Sequence, residues 1–551
     1  MHKRSARLLA VSLLSAVAAL AQPVIQGSVV SAASYRAPGM PGSGVAQGSI
    51  FYFYGTGLGP NTFTQAYTFP LPTQLGGTSI SVTVGGTTAP AILLYSYNTV
   101  VAGILPSTVP TGTGSLTLTY NGQTSAPAPI VVVASAFGIF TVNSGGSGQA
   151  SATDVNYQSN SIIHTFHPGD YVTLWGTGLG AVSGGDAVVP PYGNIGSVTV
   201  YVGNTTASVV TYHGRSGYSG LDQIDFQLPA GVTGCYVPIG VEAGGIHGNI
   251  GNIATIAVSD SGETCSDSIM GQDLVADLAA GQTVGFGLIR LESLIAPFSP
   301  GEAGFAANGD AAMATFSQFT PATAGLAEYG VSSGYCVAVD CSNGCAVDSS
   351  NGSVTDSSPA QLDAGTVSVN YGPDITLNQY NGYYTAPLYE PNGTRYLWSG
   401  FTYPVAGMGG AVVGAFSVSD LTSIPTLKFT SPTLGANVPL SGDLTVTWTG
   451  GNPNLQNGQV TIGGYSAANT NFNQLELFQC TAPLAAGQFT IPGWVLSALP
   501  PAGSGVNDTI KYPLAWIWIG QYNNPTAFSA TGLAKGMMTD IFYNGLGVYY
   551  Q

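Results

Sequence analysis

The residues best able to do chemistry in this chain are few and scattered. Beyond position 21 there are four histidines, His164, His167, His213 and His247. His164, His167 and Asp170 offer three ligands of the kind that hold zinc. In an extended strand, residues three apart point to opposite faces, so the two imidazoles need a turn to converge. We read the segment as a polar linker ahead of a second repeat. The sequence contains no H-E-x-x-H, no G-x-x-x-x-G-K-[ST], and no G-x-S-x-G leading into a helix with a later histidine. Glycoside hydrolysis needs two carboxyl groups across a cleft. The seven glutamates, at 242, 263, 292, 302, 328, 390 and 476, are dispersed, and no spacing among the aspartates marks a pair. We therefore expect no catalytic residues, no metal site and no cofactor. The stretch Asp340–Asp356 (DCSNGCAVDSSNGSVTD) is oxygen-rich enough to make Ca²⁺ possible, but it does not match the 12-residue Ca²⁺ loop. It is expected to be a solvated loop tied by disulfides.

Aromatic side chains are more suggestive. Tyr380, Tyr383 and Tyr384 fall in a turn-like YNGYY, and Trp516, Trp518 and Tyr522 in WIWIGQY. Trp516 and Trp518 are two apart, so on a strand they share a face at a spacing of about 7 Å. Exposed, such rings stack on sugars, with a flat apolar surface and a polar rim. Ile517 and Ile519 make the other face apolar as well, which favours a buried strand. These six aromatics are the ligand-binding candidates.

The elements that must position them follow from composition. Charged residues are 7% of the 551, against about 25% in an ordinary soluble domain. Hydrophobic residues are 44%, enough for packed cores. Gly (77) and Pro (34) make up about one residue in five without a G-x-y period, which points to many turns between short strands. The formal charge of −16 opposes nucleic-acid binding, which needs clustered Lys and Arg. Residues 1–21 have a basic start (Lys3, Arg4, Arg7), an apolar run over 8–20 and Ala19-Leu20-Ala21, the pattern of a secretory signal cleaved near Ala21. No later stretch is long and apolar enough to span a membrane, so a secreted or cell-surface protein without an anchor helix is expected. In that compartment the six cysteines pair. Cys235 and Cys265 flank one strand-rich segment and form the natural pair. Cys336, Cys341, Cys345 and Cys480 leave three connectivities open.

The chain also repeats itself. GSIFYFYGTGLGP at 48–60 returns as GDYVTLWGTGLGA at 169–181, 121 residues on. VGGTTA at 84–89 returns as VGNTTA at 202–207, and ILP at 104–106 as QLP at 227–229. Each copy alternates apolar and polar residues with period two. Ile80, Val82 and Val84 share one face, and 115–120 and 197–202 alternate likewise. One face must be buried, so two-sheet sandwiches are the economical architecture. In GTGLG the glycines are expected to permit a tight, positive-φ bend after a strand.

A strand, GTGLG, then a V-x-V-G-x-x-x-A strand resembles the IPT/TIG type of immunoglobulin-like domain. The tandem pair further resembles the uncharacterised repeat module of secreted acidobacterial (Solibacter-type) proteins. The matching features are SAASY (31–35), LPTQLGG (71–77), FGIFT (137–141), GCYVPIGV (234–241) and TCSD (264–267). The likeness spans about 25–267; it implies a fold and no activity. Beyond it, VGFGLIRL (284–291), TVSVNY (366–371) and AVVGAF (411–416) read as strands, with a short helix near Asp273–Ala280. Leu444, Val446 and Trp448 alternate as in a core strand of an immunoglobulin- or fibronectin-like sandwich. The expected organisation is all-β: signal 1–21, repeats 22–142 and 143–267, a β-rich domain 268–424, and a C-terminal sandwich 425–551. The function this supports is non-catalytic adhesion, by binding an extracellular glycan or protein. The alternatives are a structural component of an extracellular layer, or a hydrolase with its site in 268–424.

Overall fold

A computed structural model describes residues 22–265, 270–297, 306–324, 331–342, 359–370, 374–380, 382–388, 397–398, 400–422, 427–507 and 510–551. The expected signal, Cys345 and most of Asp340–Asp356 lie outside them. The chain is all-β. Among the described residues the longest helix is Gly271–Ala279, and no helix is long and apolar enough to cross a membrane.

The alternation read in the first repeat forms a sandwich. Phe51 and Phe53 point inward from strand Ile50–Thr56 and meet Ile80, Val82, Leu116 and Leu118 from the opposite sheet, all essentially inaccessible. Leu116 faces Val82 and Leu118 faces Ile80 across the antiparallel pair Gly112–Tyr120 and Thr78–Val84. One sheet runs Val24–Ser31, Ile50–Thr56, Val100–Ile104, Ile92–Ser96; the other runs Val45–Ala46, Ala128–Val133, Gly112–Tyr120, Thr78–Val84. In chain order these are A-B-E-D and A′-G-F-C, with the short A′ strand parallel to G. That is immunoglobulin connectivity. The second repeat has the same order: Gly138–Ile139, Tyr171–Thr177, Asp222–Gln227, Val210–Arg215 against Val198–Val202, Gly234–Ala243, Ile250–Val258. Its first strand starts at Gly138, so the expected boundary at 142/143 falls too late. FGIFT already belongs to the second sandwich.

GTGLG closes strand B in both copies, with Gly57 at φ +67° and Gly178 at +113°. At Gly178 a Cβ would sit 2.1 Å from the Ala136 carbonyl oxygen, so the position accepts only glycine.

The remaining chain does not divide at 424/425. One eleven-stranded sheet crosses that point. Lys535–Gly547 pairs parallel with Val284–Pro297 on one side and antiparallel with Ala515–Tyr522 on the other. Cys336–Asp340 joins the far end beside Leu475–Pro483. Two small sheets cover the inner face of this long sheet and make two cores. Val367–Asn370, Thr402–Gly407 and Phe416–Leu421 close the first, around Ile289, Leu291, Phe316 and Met538. Lys428–Ser431, Leu444–Thr449 and Gln488–Ile491 close the second, around Val446, Trp448, Ile517 and Ile519. AVVGAF is not a strand: 411–415 form a bend and strand Phe416–Leu421 begins at its last residue.

The modules are clamped together. Ile250–Val258 is buried along its whole length, because Ala254, Ile256 and Val258 face the second repeat's core while Ile250 and Ile253 enter the C-terminal core. Arg36, just after the left-handed Tyr35, reaches Glu476 at 2.7 Å, the Gly251 carbonyl at 2.7 Å and the Ala498 carbonyl at 3.4 Å. It thereby joins three modules through one buried guanidinium. Disulfides Cys235–Cys265 and Cys336–Cys480 are formed, and Cys341 is also disulfide-bonded.

Candidate functional site: two aromatic sheet faces

The expected aromatics divide by burial. Tyr384 is core: its ring packs edge-on against Phe316 at 5.6 Å and its hydroxyl accepts the Ala364 amide at 3.0 Å. Tyr383 is half-buried beside it. Tyr380 ends strand Asn378–Tyr380 opposite Tyr383, and its side chain is outside the described residues. Trp516 is buried, stacked on Tyr465 at 5.8 Å. These placements remove Tyr384 and Trp516 as open platforms, because packing already covers the faces a ligand would need.

Trp518 and Tyr522 do come together, on the outer face of the long sheet. Ile517 and Ile519 fill the core on the other side. The Trp518 indole lies across Gly463, where a Cβ would come within 2.5 Å of Nε1. Tyr465 lies 6.3 Å from it and Tyr543 6.1 Å. The Tyr522 and Tyr543 hydroxyls meet at 3.4 Å, and the half-exposed pair Arg290–Glu292 borders them. Burial first, then the neighbouring Tyr522 and Glu292, hold the Tyr543 phenol well above its ordinary value. It stays a neutral donor and acceptor.

A second aromatic face lies on the first repeat. Phe51 and Phe53 point inward, so Tyr52 and Tyr54 must point outward. Tyr35 packs on Tyr52 at 5.0 Å and Tyr52 on Tyr54 at 5.1 Å. On the next strands Phe63 contacts Tyr95 at 5.2 Å and Tyr97 at 6.4 Å. Tyr52 and Tyr95 both pair with Ala102, so they stand in one row with a small residue between them. At about 4.8 Å per strand, their backbones are about 10 Å apart. Desolvation raises the phenols of Tyr35, Tyr52, Tyr54 and Tyr95, the last to about 12, so this face is neutral at any physiological pH. The Phe-Tyr-Phe-Tyr alternation at 51–54 and Tyr-x-Tyr at 95–97 were the available signals. The repeat accounts for the inner residues of that segment and leaves the outer tyrosines unassigned. A further signal is electrostatic. Between Arg36 and Asp154 the sequence has no Asp, Glu, Lys, Arg or His. Arg36 itself is buried and paired, so this sandwich exposes no formal charge.

The histidines lie elsewhere, against acids. His164 sits 3.3 Å from Glu263 and 3.7 Å from Asp154, and His167 lies 3.4 Å from Asp170. Among the described residues no group of three or more His, Cys, Asp or Glu is arranged to hold a metal. A cleft of about 680 Å³ separates the second repeat (Tyr201, Asn204, His247) from the C-terminal module (Asp443, Thr490, Trp494). Tyr201 stacks on Trp494 at 5.1 Å and so closes its floor.

No protein-family model matches the chain, and no curated protein is similar to it. Among solved structures, domains 5-6 of the S-layer protein SbsC share 17% identity, cover 44% of this chain and 100% of their own, and give a TM-score of 0.16. The I9-I11 tandem from titin shares 7%, covers 71% and 99%, and gives 0.11. The tandem Ig repeats of Dlar share 11%, cover 44% and 96%, and give 0.11. It is the strand order, rather than these likenesses, that makes both repeats of this chain immunoglobulin-like.

Proposed function

We propose that this is an exported, non-catalytic binding protein whose first repeat, an IPT/TIG-like module, holds a neutral glycan on its tyrosine face. The observation that carries this reading is the six-ring surface of Tyr35, Tyr52, Tyr54, Phe63, Tyr95 and Tyr97 on a sandwich without exposed charge. Ring faces supply flat apolar contact for the C–H side of a sugar, and protonated hydroxyls supply donors and acceptors at the rim. The disulfides and the signal-like start support an extracellular setting. The Trp518–Tyr543 face, with Arg290 and Glu292, is a second platform of the same kind on the long sheet.

Affinity electrophoresis of the full chain through gels cast with neutral polysaccharides tests this. Retardation by at least one polysaccharide is expected, weakened tenfold or more in Tyr54→Ala/Phe63→Ala. Tyr54 is 37% and Phe63 42% exposed, so both truncations leave the core untouched. Absence of retardation across the panel, or retardation unchanged in the double variant, refutes the reading.

A further inference from the structure

Strand Lys535–Gly547 crosses the centre of the long sheet and turns Met538 and Phe542 into the first C-terminal core. Asp540 stands between them on the same face and is 0% exposed. The period-two pattern calls for an apolar side chain there, and a fully buried aspartate is rare without a partner. Its Oδ2 accepts the Asn523 side-chain amide at 2.6 Å, while its Oδ1 meets no hydrogen-bond donor. Asn523, 4% exposed, is fixed by its own N–H on the Asp540 carbonyl at 2.9 Å and by the Thr539 hydroxyl on its carbonyl at 2.9 Å. Its Oδ1 also meets no donor. From the facing small sheet, Asp420 brings a second carboxylate whose field acts on Asp540, and its Oδ1 accepts the Thr526 hydroxyl at 3.2 Å. The pairs on adjoining positions, Arg290–Glu292 and Lys535–Asp273, are engaged with each other.

Asp540 and Asn523 thus each keep one buried oxygen without a donor, and Thr526, which holds Asp420, pairs with Met538 two residues along the strand from Asp540. An orphaned buried acceptor is destabilising, the more so if charged. A hard cation satisfies acceptors that no N–H or O–H reaches. We propose that Asp540, Asn523 and Asp420 bind one Ca²⁺, with the Thr526 hydroxyl and water completing the shell. The all-oxygen donor set, drawn from two strands and a turn, suits the loose, high-coordination sphere of Ca²⁺ better than the strict octahedron of Mg²⁺. The ion would pin the small sheet to the long one.

Isothermal calorimetry of the chelator-treated full chain with CaCl₂, alongside thermal melts, tests the site. One Ca²⁺ per chain and an upward shift of the melting temperature by several degrees are expected, with MgCl₂ giving a smaller shift. The half-exposed variant Asp420→Asn and the buried variant Asp540→Asn should each lose both responses; the first keeps the test sound should the second fold poorly. A wild-type chain indifferent to millimolar Ca²⁺ overturns the proposal. So does a Ca²⁺ response that survives in Asp420→Asn.

Discussion

At the scale of single residues, burial decides which groups respond to pH. Desolvation first, then the neighbouring Asp420, pushes Asp540 up to about 7 from the usual value near 4. The folded state therefore binds a proton that the unfolded chain releases between about pH 4 and 7. Stability from this group is full below about pH 4 and is lost as pH rises through about 7, on the order of 4 kcal/mol in total. In chelator, the full chain should melt at a higher temperature at pH 5 than at pH 7.5. Asp540→Asn should lessen that slope, the remainder coming from Glu476, whose carboxyl burial pushes up to about 8; a slope undiminished in the variant would show that Asp540 takes no part. A second residue-scale expectation concerns Arg36 and Glu476. Both are 2% exposed, and burial pushes the Glu476 carboxyl up to about 8 even beside Arg36, so losing the guanidinium leaves a buried carboxyl unpartnered at about 1–3 kcal/mol. Arg36→Met should lower the unfolding free energy from a urea titration by that amount. Arg36→Met/Glu476→Leu should recover much of it, because two apolar groups leave nothing unpaired.

At the scale of elements, the legible part was whatever has a local period. The alternation over 78–84 and 115–120 gives strands whose inner residues are those expected, and the duplication gives two copies of one strand order. Gly271–Ala279 and Leu444–Thr449 also stand where pattern placed them. What local pattern does not encode is pairing between distant segments. Lys535–Gly547 lies beside Val284–Pro297 although some 250 residues separate them, and nothing in either strand names its neighbour. The positive-φ bend at GTGLG is legible in the same way, but its contact with a distant segment is not. In the second repeat the Gly178 and Leu179 amides donate to Asp222 at 2.7 and 2.8 Å. Asp222 pairs with Arg215, whose other nitrogen reaches the Gly48 and Gly180 carbonyls at 2.7 Å. The motif is thus a joint between repeats. In the first repeat, Asn98 takes the same place, its Oδ1 accepting the Gly57 amide at 3.0 Å, without a charge. Gly178→Ala should therefore cost several kcal/mol by strain and by loss of both amides. Gly57→Ala, with only a Pro23 atom at 3.8 Å from the added Cβ, should cost less. Urea titration of the two variants compares them. The aromatic candidates were legible as strand residues, but which of their faces packing would cover was not. Trp516 and Trp518 share one face, yet one is closed by Tyr465 and the other stays half-open.

At the scale of the whole molecule, the charge is distributed unevenly. All 26 acids lie at or beyond Asp154, so the repulsion implied by −16 acts on the second repeat and the long-sheet module and leaves the first sandwich unprotected. A neutral aromatic face on an unprotected module has two competing occupants, a glycan or a second copy of the chain, and the second occupant is what a structural layer would use. Salt separates them from electrostatic association, since screening weakens only charged contacts. Sedimentation of the full chain at neutral pH across concentration and salt then separates them from each other. A glycan-binding protein should sediment as a monomer at micromolar concentration, and its polysaccharide retardation should be indifferent to salt. A layer protein should form larger species that Tyr54→Ala/Phe63→Ala dissociates. Near the sequence pI of about 4.3 the acidic modules lose their repulsion and association is expected under either reading, so the neutral-pH measurement is the one that discriminates. Salt-dependent oligomers at neutral pH that survive the double variant would place the contact on the acidic modules and remove the tyrosine face from both accounts.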